Sequence, residues 1–102
     1  MLPHVTVCIC TFRRPTLLKR LLEKLQTQIT NDQFTFSITV CDNDAEQSAA
    51  SVVSAARENS GIEIICCCEP RKNIALARNK ALKHVRGDLV AFIDDDEFPA
   101  AD

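Results

Sequence analysis

An α/β architecture, a parallel sheet with helices on its faces, is the fold class this sequence predicts. Four short apolar runs alternate with three stretches of helical composition. The runs are Val5 to Cys10, about Thr35 to Cys41, about Ile62 to Cys68, and Leu89 to Ile93. A β-α-β-α-β-α-β order favours parallel strands joined by right-handed crossovers. Three of the four run ends also carry polar clusters, Thr11–Arg14, Asp42–Asp44 and Asp94–Asp96. In open sheets of this kind ligands bind beyond the carboxyl ends of the strands.

Each element has its own signal. Val5 to Cys10 is continuously apolar and β-branched, as a buried strand requires. Pro15 suits the first turn of a helix. Leu18, Leu21, Leu22 and Leu25 then recur at helical spacing, with Lys19, Arg20, Glu23 and Lys24 between them. The alternation Phe36, Ile38, Val40 predicts a second strand with one face better buried than the other. A second helix is expected from about Gln47 to Asn59, with Val52, Val53 and Ala56 on one side and Gly61 at its C-terminal cap. Pro70 closes the third strand. Asn73 is placed to cap a third helix running to about Val85, and Gly87 ends it.

Composition narrows the function. The chain has 102 residues, a formal charge of −2 and 25% charged residues, so it offers no electrostatic footprint for nucleic acid. No apolar run reaches the ~20 residues needed to span a bilayer. The N-terminus lacks the charged and apolar regions of a signal peptide, so the expected compartment is the cytoplasm. The six cysteines, Cys8, Cys10, Cys41, Cys66, Cys67 and Cys68, lie in apolar strand-like runs without paired CxxC spacing. They read as small buried hydrophobes rather than a zinc site. Two basic pairs, Arg13–Arg14 and Arg71–Lys72, are either solvated surface or phosphate contacts. With Gly61 and Gly87 the only glycines, neither a dinucleotide fingerprint nor a P-loop is present. His4 and His84 match no nucleophile pattern.

The strongest chemical signal is Asp94-Asp95-Asp96. Adjacent carboxylates repel unless a cation intervenes. In extended backbone Asp94 and Asp96 share a face while Asp95 points elsewhere. Mg²⁺ or Mn²⁺ is typically held by one or two carboxylates plus substrate phosphates, and the alternative is an acidic solvated turn. Arg78 projects onto the same arc as Ile74, Ala81, Leu82 and Val85. There it either pairs with a strand-end carboxylate or snorkels to the helix edge. Asp42, with Asp44, is either a base or ribose acceptor or a turn residue. Phe12 either stacks on a base or packs on the first helix.

Taken together, these residues resemble the family 2 inverting glycosyltransferases of the GT-A fold, a three-layer Rossmann-like, mostly parallel sheet. Val5 to Pro15 is similar to that family's first strand and turn. Val40-Cys41-Asp42-Asn43 is similar to its second strand and base-binding aspartate. Asn73 to Asn79, with Ala77-Arg78-Asn79, resembles its third helix, and Gly87 to Asp96 its fourth strand and DxD motif. The resemblance is collinear over essentially the whole chain. It implies that Thr11, Phe12, Arg13, Asp42, Arg78, Asp94 and Asp95 contact the nucleotide and that Asp94 and Asp96 hold Mn²⁺ or Mg²⁺. It also implies a UDP- or dTDP-type sugar donor, a saccharide or lipid-linked saccharide acceptor, and a role in cell-envelope polysaccharide synthesis at the inner face of the membrane. Arg13, Ala75 and Asp44-Ala45 depart from residues common in the family. Residues 1–102 are expected to be the N-terminal nucleotide-sugar-binding half, with the general base beyond Asp102. On that reading this stretch alone is inactive, and its fourth strand has an open edge through which it can self-associate. The competing readings are a non-catalytic module of the same fold and a nucleotidyltransferase. The latter usually opens with a glycine-rich basic loop, and Thr11–Pro15 has no glycine.

Overall fold

A computed structural model describes residues 3–27, 34–58 and 61–95. Its elements are β1 (His4–Thr11), α1 (Pro15–Gln26), β2 (Thr35–Asp42), α2 (Ala50–Glu58), β3 (Ile64–Cys68), α3 (Ile74–Leu82) and β4 (Leu89–Asp94). The sheet order is β3-β2-β1-β4, and all three pairings are parallel. The chain therefore moves outward from β1 to β3, then returns to place β4 on the other side of β1. That reversal makes the β1/β4 boundary the topological switch point, where such sheets open a crevice.

The two faces of the sheet are built differently. On one, Val7, Ile9, Ile38, Val40 and Ile64 pack with Leu18, Leu21, Leu22 and Leu25 of α1 and Val53 of α2. On the other, Cys8 and Cys41 pack directly on Ala77 and Ala81 of α3, flanked by Cys10, Cys67 and Val85. Small side chains on both sides bring α3 close to the strands. All six cysteines are free thiols; Cys8 and Cys41 are buried and the rest half-buried.

Three expectations are corrected here. From Ser37 to Asp42, β2 is buried on both faces rather than one. It lies between β1 and β3 with helices above and below, the setting in which parallel strands lose alternation. The second helix begins at Ala50, not Gln47, because Gln47 adopts a left-handed backbone (φ 56°) in the turns that precede it. The third helix ends at Leu82, and Val85 follows in irregular backbone. The expected end of the second helix at Asn59 lies outside the described residues.

The outer side of β4 exposes apolar surface. Leu89, Val90 and Phe92 are all exposed, as are Ile74 and Leu82 of α3. Among the described residues no helix is long and apolar enough to cross a membrane.

Candidate nucleotide-binding cleft

At the switch point a cavity of about 390 Å³ opens beyond the strand tips, within the range of small-molecule sites. Side chains from the ends of all four strands converge on it. Cys10, Thr11, Phe12 and Arg14 come from the end of β1; Asn43, Lys72 and Asn73 from the β2 and β3 ends; Asp94 and Asp95 from β4.

Strand register decides which carboxylate does what. Cys10 pairs with Asp94, so Asp94 lies on the α3 face, exposed toward the cleft. Asp95 falls on the opposite face and is buried. It accepts from Thr11 Oγ1 at 2.9 Å and from Arg14 Nη1 at 3.1 Å. Asp95, expected as a nucleotide contact, lines the cleft and is bound within the chain, tying the β1–α1 turn to the tip of β4. Asp96, expected to ligate metal, lies outside the described residues.

The β1–α1 turn presents Phe12 through an unusual backbone. Arg13 is left-handed (φ 53°), and its Nε lies 3.4 Å from Asp44 Oδ1. Phe12 is contacted by two cations, with the Lys72 ammonium 4.4 Å and the Arg13 guanidinium 5.1 Å from its ring centre. This agrees with a Phe12 that faces the site rather than packing on α1 alone. Cation–π contacts of this kind contribute about 0.5–1 kcal/mol at exposed positions.

Asn43 holds the opposite wall. Its Nδ2 donates to the carbonyls of Glu69 (2.8 Å) and Arg71 (2.7 Å), and its Oδ1 accepts from the Asn73 amide (3.1 Å). Asn73 in turn caps α3, accepting from the amides of Ala75 and Leu76. One side chain thus fixes the Glu69–Asn73 bend that carries Lys72 to the cleft. Asn43→Ala is expected to lower unfolding free energy by about 2–3 kcal/mol, because it leaves buried backbone groups unpaired. Denaturant titration checks this, and an unchanged midpoint would exclude the clamp. Nothing local in the sequence marks the Asn43 clamp, whose partners lie 26 to 30 residues away.

Of the placements left open for Asp42 and Arg78, the structure takes the turn for Asp42 and the helix edge for Arg78. Asp42 is almost fully buried and does not line the cleft. Its Oδ1 accepts from the Asp44 amide (3.1 Å) and its Oδ2 from the Ala49 amide (2.9 Å). It borders a separate cavity of about 230 Å³ beside α2, with Gln47, Arg57 and Cys66. Burial pushes its pKa up, opposed by those two amides. Arg78 is exposed, and its guanidinium lies 5.9 Å over the Phe92 ring. The buried stripe of α3 is centred between Ala77 and Ala81, which leaves Arg78 about 80° and Leu82 about 120° off it. Ile74, at the start of α3, is exposed and lines the cleft.

Glu69 and Arg71 form a forked pair at the rim, with Nε and Nη2 each 3.2 Å from one carboxylate oxygen. The Arg71 side-chain bonds hold the Glu69 carboxyl below the usual carboxylate range. A depressed folded-state pKa means stability that is present above the unfolded value and lost as pH falls through the folded one. Glu69→Gln should therefore lower stability near neutrality and flatten the acid limb of the stability–pH profile below about pH 4.5, so that variant and wild type converge in stronger acid. Thermal melts across pH check it, and an acid limb as steep as the wild type's would exclude the pair as a contributor.

A parallel sheet covered on both faces, with its polar cleft at the switch point, defines this chain as a Rossmann-like α/β unit of the GT-A type. Residues 6–102 match the glycosyl transferase family 2, and the chain belongs to that family. It is 36% identical over 99 residues to the succinoglycan biosynthesis protein ExoM of Rhizobium meliloti, covering 97% of this chain and 32% of that protein. Among solved structures it is similar to the Pyrobaculum calidifontis mannosyltransferase PcManGT in complex with GDP-Man and Mn²⁺. That match has a TM-score of 0.85 and 26% identity, covering 99% of this chain and 30% of the other. It also shares its fold with S. aureus TarS 1-349, at a TM-score of 0.72 and 23% identity over 92% of this chain and 28% of that one. The chain thus spans about a third of the length of the curated relative it matches.

Proposed function

We propose that this chain is the nucleotide-sugar-binding part of a metal-dependent, inverting hexosyltransferase acting on a saccharide or lipid-linked saccharide hydroxyl at the cytoplasmic side of the membrane. The observation that carries the reading is the cleft itself. At one switch point it gathers an aromatic ring (Phe12), two cationic side chains (Arg14 and Lys72) and an exposed carboxylate (Asp94). Those are the groups a base, a diphosphate and a divalent cation call for. The mannosyltransferase with GDP-Man and Mn²⁺ supports the ligand class. It makes GDP a candidate beside UDP and dTDP.

The residues fit a metal carried in by its substrate. Among the described residues no group of three or more His, Cys, Asp or Glu side chains converges as a closed cage. A single exposed carboxylate at the cleft suits Mg²⁺ or Mn²⁺, which complete their shells with phosphates and water. Asp94 would hold the ion together with Asp96, and the ion would neutralise the diphosphate leaving group as a Lewis acid. Within the chain, Thr11 and Arg14 fix Asp95 and with it the tip of β4. Phe12 offers a stacking face, Lys72 a positive charge for phosphate, and Asn43 holds the wall that carries Lys72. Asp42, buried and bonded to its own loop, shapes the turn instead of touching the base. Inverting transfer needs a base to deprotonate the acceptor. We assign that base to residues outside this stretch.

The test is calorimetric titration of the protein with UDP, dTDP and GDP, with Mn²⁺, with Mg²⁺ and with chelator. Binding of at least one nucleoside diphosphate, strengthened by metal, is expected. Absence of binding for all three, or binding indifferent to metal, would overturn the reading.

A further inference from the structure

The second face of the sheet holds a row of thiols that the proposed sugar transfer does not use. Cys10, Cys41 and Cys67 stand at one register on three adjacent strands, since Cys10 pairs with Cys41 and Cys41 with Cys67. All three pack in the cluster beneath Ala77 and Ala81 of α3. Neighbouring strands run about 4.7–4.9 Å apart. That spacing lies inside the ~4.4–6.8 Å range of Cα separations that a disulfide spans. Side chains at one register of a parallel pair also leave the sheet on the same side.

The row is not uniform. Cys41 is fully buried, at register with Cys67 on the neighbouring strand. Cys67 is half-buried. The neighbouring Cys41 thiol, aided by Lys80 of α3, holds the Cys67 thiol below its ordinary value. Burial pushes Cys10 up to about 11 and Cys66 up to about 11, which leaves both mostly protonated. Reactivity of a thiol follows its thiolate fraction and its access, and Cys67 has the advantage in the first without losing the second.

We propose that Cys67 and Cys41 are a redox-active pair, Cys67 the peroxide-sensitive thiol and Cys41 its resolving partner, closing a disulfide between β3 and β2 beneath α3. In the first step the Cys67 thiolate attacks a peroxide oxygen. An S–O bond forms, the O–O bond breaks, and the departing hydroxide takes up a proton to leave as water. In the second step Cys41 sulfur attacks the Cys67 sulfenic sulfur. The S–S bond forms, the S–O bond breaks, and the hydroxyl leaves as water with the Cys41 proton. Both sulfurs are oxidised and one peroxide is reduced to two waters. The bond would tie β2 to β3 just before Asn43 and Glu69, at the foot of the wall that carries Lys72.

The experiment treats the protein with hydrogen peroxide, counts thiols and maps peptides. Trypsin separates 25–57, which contains Cys41, from 58–71, which contains Cys67. The expected result is loss of two of the six thiols, a Cys41–Cys67 linked peptide pair, and full reversal by dithiothreitol. Cys10→Ser should retain the link. Cys67→Ser should abolish it, and Cys41→Ala should leave a sulfenic acid on Cys67 that dimedone traps. The proposal is overturned by six surviving thiols, a Cys10–Cys41 link, a link between two chains, or a trapped sulfenic acid on wild-type Cys67 with no disulfide. The wild-type mapping decides the question even if a variant fails to fold.

Discussion

Asp94→Asn is expected to remove the metal-dependent part of nucleoside diphosphate binding, weakening it by at least about 100-fold in the presence of Mn²⁺. Losing even an outer-shell partner of a metal ligand typically costs about 10–100-fold, and Asp94 is placed to bind directly. The side chain is exposed to the cleft, on the α3 face, at the tip of β4. Asparagine keeps the shape and one oxygen but removes the charge that a hard cation requires. Asp95→Asn is the paired control. Asp95 accepts from Thr11 and Arg14 on the other face, so its loss should lower stability while metal dependence persists. Calorimetry on both variants, with and without Mn²⁺, separates the two roles. If Asp94→Asn binds as the wild type does, or if Asp95→Asn alone loses metal dependence, the assignment of the two carboxylates is reversed or wrong.

That separation was partly legible before the fold was known. Extended backbone alone puts Asp94 and Asp95 on opposite sides, and the four strands and three helices were found in order from apolar runs and breakers. What local pattern does not contain is which helix covers which face. Its place after the second strand leaves Asp42 either a base or ribose contact or a turn residue. Register puts Asp42 beside Thr11, on the α1/α2 face, where the amides of Asp44 and Ala49 take its oxygens. The sequence leaves two placements for Arg78 for a related reason. A helical projection gives an arc but not its centre, and the centre is fixed by the close approach of Ala77 and Ala81 to Cys8 and Cys41. The clamp by Asn43 depends on a bend 26 residues away in sequence, beyond the reach of any local signal. Sequence alone leaves the two basic pairs as surface or phosphate contacts, and the structure places Arg14 and Lys72 in the cleft lining.

Gly87→Ala is expected to be among the most destabilising single substitutions in the chain, at about 3–4 kcal/mol, and to damage the cleft from its far end. Gly87 has φ +93°, which side chains rarely adopt. An added Cβ would stand 2.7 Å from His4 Cβ and 2.8 Å from the His4 carbonyl oxygen. A left-handed backbone costs an L-residue about 1–2 kcal/mol, and overpacking adds about 1–3 kcal/mol. The backbone oxygen cannot move aside cheaply, because it accepts from the Asp88 amide while the His4 amide donates to Asp88 Oδ2. Those two bonds start the β1–β4 ladder, whose other end sets Cys10 beside Asp94. Loosening the start therefore frees the tip of β4 that the cleft depends on. Denaturant unfolding measures the first effect, and hydrogen exchange of the Val90–Asp94 amides measures the second. A variant with wild-type stability and unchanged β4 protection would show that the close approach at Gly87 does not set the register of the site.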